Sequence, residues 1–140
     1  MTEFLGIAGL FVLVAGLAIS IRGICVEFHR FRGLRAYAGR GCQGRAWKRA
    51  FPEATADDIR TFLGLFTGAF IMRRRRGLTF APADSVLAVY RSCYPRWSGD
   101  QCELERFVWN CRNCYGVDVE PIWRDGITLG ELFDVTRRPK

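Results

Sequence analysis

The chain has 140 residues, of which 49% are apolar and 25% are charged, and its formal net charge is +7. This length allows one small domain with an appendage. A single histidine, with no paired nucleophile and base and no glycine-rich phosphate loop, argues against an enzyme, and we expect no cofactor or metal.

The positive charge is concentrated in one segment. Residues 22–76 carry 13 Lys and Arg against 4 Asp and Glu, a net charge of +9, whereas residues 77–140 carry 8 against 9. A basic segment of this kind predicts a local anionic partner, either an anionic membrane surface or a nucleic acid.

The chain opens on an apolar run. Phe4–Ile21 holds 18 residues without a charge, at the short end of the length that crosses a bilayer as a helix. No Lys or Arg precedes the run, whereas Arg22, Arg30 and Arg32 follow it. This bias favours a retained transmembrane anchor at residues 1–21, in the cytoplasmic membrane and with the C-terminal body in the cytoplasm. A cleaved signal peptide and a buried helix are the alternatives.

Two smaller features extend this interpretation. Gly9 and Gly16 lie seven residues apart on one face of the expected span, which predicts a homodimer through the membrane helix, although monomeric spans also contain small residues. Residues 22–50 mix arginine with aromatic residues, as expected of a basic juxtamembrane segment in the lipid headgroup region. The simpler interpretation of the same residues is a helix that continues out of the membrane, followed by a linker broken by Gly39, Gly41 and Gly44.

A helical pattern follows, in the predicted domain at residues 51–140. Thr55 and Asp58 have the spacing of a capping box. Apolar residues then share one helical face: Ile59, Phe62, Leu63, Phe66 and Phe70. This helix runs into Arg73, Arg74, Arg75 and Arg76, which we expect to contact anionic lipid. The alternatives are a solvated helix end and nucleic-acid contact, and the lack of any nucleic-acid-binding motif makes the last the weaker.

The next predicted helix begins near Asp84, which can cap it, and ends before Pro95. Ser85 stands in its first turn. It follows Asp84 and precedes apolar Val86, and this position at a helix start makes Ser85 a candidate site of covalent modification. The alternative is an ordinary serine at a helix start.

The stretch Gly99–Phe133 carries the most local signals. Asp100 and Glu103 have capping-box spacing, as do Thr128 and Glu131. Gly116 stands where a left-handed residue would end the first of the two helices. The apolar stripe of that helix consists of Leu104, Phe107, Val108, Cys111 and Tyr115.

This order resembles the second half of an acyl carrier protein, in which Asp-Ser-Leu begins the recognition helix. Asp100, Gln101 and Cys102 match that triplet, Tyr115-Gly116-Val117 matches the helix end, and Thr128–Leu132 matches the start of the last helix. Gln101 replaces the serine, and a carboxamide cannot form the phosphodiester. The chain is therefore more similar to an uncharacterised group of bacterial acyl-carrier-like proteins that lack the phosphopantetheine serine. Asp84-Ser85-Val86 is the only other Asp-Ser-apolar triplet, so the resemblance implies Ser85 as the rival attachment site for phosphopantetheine.

Cys111 and Cys114 form a CxxC motif near the C-terminal end of a predicted helix. Redox-active CxxC motifs need the helix N-terminus, where the thiolate is stabilised, and no further ligand is spaced for a metal. We therefore interpret these cysteines as packing or surface residues, with a metal or redox role as the alternative.

The predicted architecture is all-α: a transmembrane helix followed by a small acyl-carrier-like helical bundle. Trp109 falls off the apolar stripe beside Glu105 and Arg112, and these three residues predict a surface that contacts a protein partner. Peripheral packing of Trp109 is the alternative. The expected function is a non-catalytic, membrane-anchored interaction or scaffold module. The alternatives are a membrane-tethered carrier modified at Ser85 and a basic nucleic-acid-binding module.

Overall fold

A computed structural model describes residues 2–70, 72, 74–94 and 102–138. The regular secondary structure in these ranges is helical, as predicted, and one isolated antiparallel bridge joins Ser85 to Thr128. Two 3-10 helices lie at Arg74–Thr79 and Glu120–Ile122. The α-helices are α1 (Thr2–Ala38), α2 (Gly44–Ala50), α3 (Ala56–Ala69), α4 (Val86–Cys93), α5 (Cys102–Tyr115) and α6 (Leu129–Arg137).

The predicted transmembrane anchor is wrong. Among the helices that the structure describes, none combines the length and the apolarity needed to cross a membrane. The apolar run Phe4–Ile21 is one end of α1, a single helix of 37 residues. It continues through the arginines after Ile21 and packs against α4. The prediction of a single-pass protein of the cytoplasmic membrane, with its body in the cytoplasm, depended on this anchor and is wrong for the same reason.

Local capping signals set several helix starts. Two of the three predicted capping boxes are confirmed: Thr55 with Asp58 begins α3, and Thr128 with Glu131 begins α6. The predicted left-handed glycine is also confirmed, because Gly116 has φ 65° directly after α5. Asp100 lies outside the described residues.

The start of α4 differs from the prediction by one residue. Ser85, rather than Asp84, is the N-cap, and its hydroxyl accepts a hydrogen bond from the Ala88 amide. The Asp84 carboxylate has other partners. It accepts two hydrogen bonds from the Arg40 guanidinium, at 2.7 and 2.9 Å, and one from the Ala81 amide. A partner 44 residues away is not visible in local sequence.

The core is built largely from aromatic side chains. Trp47 of α2 contacts Phe62 of α3 and Phe133 of α6, and Phe62 in turn meets Phe107 of α5. The Trp47 indole N–H donates a buried hydrogen bond of 2.8 Å to the Phe80 carbonyl. Leu34 of α1 is buried in the same cluster. Residues between 22 and 50 thus contribute to the packing that holds α3, α5 and α6 together.

Candidate functional site

The two faces of α5 have different environments. Leu104, Phe107 and Cys111 are buried in the core. Glu105, Trp109 and Arg112 follow one another at helical spacings of four and three residues, and all three are exposed. Because residues at these spacings share a helix face, α5 presents one acidic, one aromatic and one basic side chain together on its outer side.

The chain after α5 forms a second wall beside this outer face. Gly116 ends the helix with a left-handed conformation, which an L-residue adopts only with strain. Three residues later Val119 is buried, with 1% of its surface exposed, and fixes the segment to the core. Glu120 and Trp123 follow, at the ends of a short 3-10 turn that contains Pro121.

A groove of about 340 Å³ lies between α5 and this segment. Trp109 lines the groove with 62% of its surface exposed. Leu104 and Val108 form the apolar floor of the groove. The side chains that line the groove are Leu104, Glu105, Val108, Trp109, Arg112, Glu120 and Trp123. The structure therefore brings the three predicted partner-contact residues into one groove, which we call the Trp109 groove. Their role in binding stays a prediction.

The charged residues of the Trp109 groove are available to a ligand. Ion pairs in the described part of the chain include Arg124 with Glu131 and Arg138 with Asp134. None of the pairs within 4.0 Å that these ranges contain involves Glu105, Arg112 or Glu120. A large exposed aromatic ring beside unpaired charges and an apolar floor is the arrangement found at protein interfaces.

Sequence reasoning missed two residues of the groove, Glu120 and Trp123. Trp123 is half-buried, and no motif in the sequence sets it apart from a packing residue. The available signal was the glycine stop at Gly116 followed by apolar Val119, because an apolar residue after a helix stop predicts that the chain packs back against the protein. Which side of α5 the chain returns to depends on packing and could not be read from the sequence.

Ser85, the candidate attachment site, lies at the junction of α4 and α6. Its hydroxyl accepts from the Ala88 amide at 3.4 Å and donates to the Asp125 carbonyl at 3.3 Å. Main-chain hydrogen bonds on both sides, from Val86 to Ile127 and from Leu129 to Asp84, hold it there. Ser85 thus has a structural role in joining two helices, and its modification stays a prediction.

The predicted lipid-contact residues lie mostly beyond the structural description. Arg73 is outside the described residues, and only the backbone of Arg74, Arg75 and Arg76 is described, at the start of a 3-10 helix. The helix predicted to run into them ends earlier, at Ala69. Contact of Arg73–Arg76 with anionic lipid and nucleic-acid binding both stay predictions. A homodimer is likewise untested, but the transmembrane helix through which it was predicted is not found among the described helices.

Burial distinguishes the two cysteines of the CxxC motif. Cys111 is buried, and burial together with the neighbouring Cys114 raises the pKa of the Cys111 thiol to about 12. A thiol with this pKa stays protonated near neutral pH and is a poor nucleophile. Cys114 is exposed. Within the described ranges no group of three or more His, Cys, Asp or Glu side chains is placed to hold a metal ion.

Comparison of the chain with protein-family models, curated proteins and solved structures finds no match. The similarity to acyl-carrier-like proteins therefore stays a prediction that rests on the motifs quoted above.

Proposed function

We propose that this protein is a non-catalytic interaction module that binds a protein partner through the Trp109 groove. The observation that carries the proposal is the exposure of the Trp109 ring, at 62%, beside an apolar floor and unpaired charges. Tryptophan and arginine are the residues most enriched among those that dominate binding energy at protein interfaces.

The size and charge of the groove define the kind of segment that it would accept. A volume of about 340 Å³ is at the lower end of ligand pockets and suits one or two apolar side chains rather than a large ligand. Two carboxylates and one guanidinium surround it, so the groove has one net negative charge. We expect a short amphipathic segment that inserts an aromatic or branched aliphatic residue between Trp109 and Trp123 and places a basic residue near Glu105 or Glu120.

A comparative capture experiment tests the proposal. The full-length protein, Trp109→Ala and Phe28→Ala are used to capture proteins from the same extract, and the captured proteins are quantified by mass spectrometry. Phe28 is the matched control because its ring is also 62% exposed but lies on α1. The proposal requires a protein that the wild type and Phe28→Ala retain equally and that Trp109→Ala loses.

The binding energy of that partner gives a second criterion. Truncation of a central interface tryptophan is expected to cost about 2 kcal/mol or more, which corresponds to a Kd at least about 30-fold weaker. Glu105→Lys should weaken the same complex by repelling the basic residue of the partner. If every captured protein is retained equally by Trp109→Ala, the groove is not the interaction site.

A further inference from the structure

A second and larger groove, remote from Trp109, lies where α1 crosses α4. Its volume is about 700 Å³, and it is lined by Ile24, Cys25, Phe28, Arg32, Gly33, Arg91 and Ser92. We call it the α1–α4 cleft. Gly33 and Ser92 are in direct contact and close one end of the cleft. From that end α1 continues toward its N-terminus.

The wall that α1 gives to the cleft is apolar and open to solvent. Ile24 and Phe28 are four residues apart, so they stack on one helix face, and they are 70% and 62% exposed. The exposure continues beyond the cleft, where Ile21 is 51% and Leu17 63% exposed. Exposed apolar surface of this extent is unusual on a protein without a bound ligand or partner.

Positive charge is placed at the closed end of the cleft. Arg32 and Arg91 both line it, next to the Gly33–Ser92 contact. Arg91 lies 3.7 Å from the Asp125 carboxylate, whereas Arg32 has no ion pair among the described residues. These three charges sum to +1. The cleft therefore matches a single negative charge, and a doubly charged phosphate head would leave one charge unmatched.

We infer that the α1–α4 cleft binds a long-chain fatty acid. Its carboxylate would lie between Arg32 and Arg91, and its chain would run along Phe28 and Ile24 toward Leu17. A carboxylate accepts two hydrogen bonds from a guanidinium in a matched geometry. The chain would cover part of the apolar surface that α1 exposes, with a gain roughly proportional to the area removed from water. The volume of the cleft is within the range of small-molecule sites, about 300–1,000 Å³.

Cys25 makes the inference testable in the intact protein. It lines the cleft and is exposed, as Cys42 and Cys114 are elsewhere on the chain. The full-length protein is treated with N-ethylmaleimide in the presence of hexadecanoate below its micelle concentration, and labelling is read peptide by peptide. Hexadecanoate should slow the labelling of Cys25 without affecting Cys42 or Cys114, and uncharged hexadecanol should protect Cys25 less well.

Paired variants separate specific binding from general hydrophobic adsorption. Arg32→Gln and Arg91→Gln should each raise the hexadecanoate concentration needed for half-protection by about fivefold, as for loss of one exposed ion pair. Arg45→Gln, an exposed arginine on α2, should not. Phe28→Ala should weaken protection, whereas Trp109→Ala, which removes an equally exposed ring from the other groove, should not.

Three outcomes would overturn the inference. Equal protection of Cys25 and Cys42 would indicate adsorption without a site. Equal effects of hexadecanol and hexadecanoate, or full protection in both arginine variants, would remove the role of the charges. Protection of Cys25 that rises with protein concentration, in the absence of hexadecanoate, would show that a second copy of the chain occupies the cleft.

Discussion

Gly33 of α1 lies directly against the main-chain carbonyl of Ser92 in α4. A Cβ atom added at Gly33 would stand 1.6 Å from that carbonyl oxygen and 2.5 Å from its carbon. Both obstructing atoms belong to the backbone, so no side-chain rotation can relieve the overlap. The absence of a side chain at position 33 is therefore what allows α1 to rest on α4.

We expect Gly33→Ala to lower the free energy of unfolding by about 1–3 kcal/mol or more, as for overpacking in a tight contact. Gly23→Ala is the matched control on the same helix, because nothing lies within 4 Å of its added Cβ. That substitution should raise stability by about 0.5–1 kcal/mol through helix propensity. Urea unfolding followed by circular dichroism measures both. Equal stability of the two variants would contradict the close crossing.

The buried hydrogen bond from Trp47 to the Phe80 carbonyl gives a second prediction. Trp47→Phe removes the 2.8 Å bond, leaves the carbonyl without a partner and opens a small cavity. The expected loss is about 1–3 kcal/mol in the free energy of unfolding. Trp109→Phe makes the same chemical change at an exposed position, and its effect should stay within about 0.5 kcal/mol. A loss of the same size in both variants would show that the bond does not stabilise the fold.

Stability should depend on pH through the capping box of α6. The Glu131 carboxylate accepts hydrogen bonds from the Thr128 amide, at 2.9 Å, and from the Thr128 hydroxyl, at 3.1 Å. The hydrogen bond from the Thr128 amide is the main reason that the pKa of Glu131 is lowered. The Thr128 hydroxyl and the Arg124 guanidinium contribute in the same direction. Because the folded state holds this carboxylate ionised, its contribution is present above the ordinary glutamate pKa. It is lost as the pH falls through the lowered value.

The variant Glu131→Gln isolates this contribution. It should be less stable than the wild type at pH 7, and the difference should shrink as the pH falls through the lowered pKa of Glu131. Glu53→Gln, in the turn before α3, is the control and should leave the pH dependence unchanged. Urea unfolding at a series of pH values is the measurement. A stability difference that is constant between pH 7 and acid would exclude the assigned role of Glu131.

The two cysteines of the CxxC motif should react at very different rates. With a pKa of about 12, buried Cys111 is protonated at pH 8, whereas Cys114 is exposed. We expect iodoacetamide to modify Cys111 at least about 100-fold more slowly than Cys114 in the folded protein. In urea the two rates should converge. Comparable rates in the folded protein would mean that Cys111 is accessible and ionisable.

Local chemistry explains which elements could be predicted from the sequence. Thr55 with Asp58 and Thr128 with Glu131 are bonded to each other across three residues, so both boxes are visible in the sequence. The left-handed stop at Gly116 is equally local. Glu105, Trp109 and Arg112 could be grouped because their spacing alone puts them on one helix face.

Contacts between residues that are distant in the sequence explain where the predictions from the sequence were wrong. Asp84 was expected to cap α4, but Arg40 and the Ala81 amide occupy its carboxylate, and the cap passes to Ser85. Trp47 was placed in a juxtamembrane segment, although its ring is fully buried. The predicted membrane span rested on an apolar run and on the arginines that follow it, and neither feature shows that this helix, which ends at Ala38, packs on α4.

Site-specific crosslinking tests the central claim, that the Trp109 groove binds a protein partner, most directly. A photo-reactive benzoylphenylalanine is placed at position 109 in one sample and at position 45, an exposed position of α2, in another. Each full-length protein is irradiated in its native cells. We predict one dominant protein adduct from position 109 that is absent from position 45 and is lost when Glu105→Lys is added. The same adducts from both positions, or no adduct from position 109, would contradict the account.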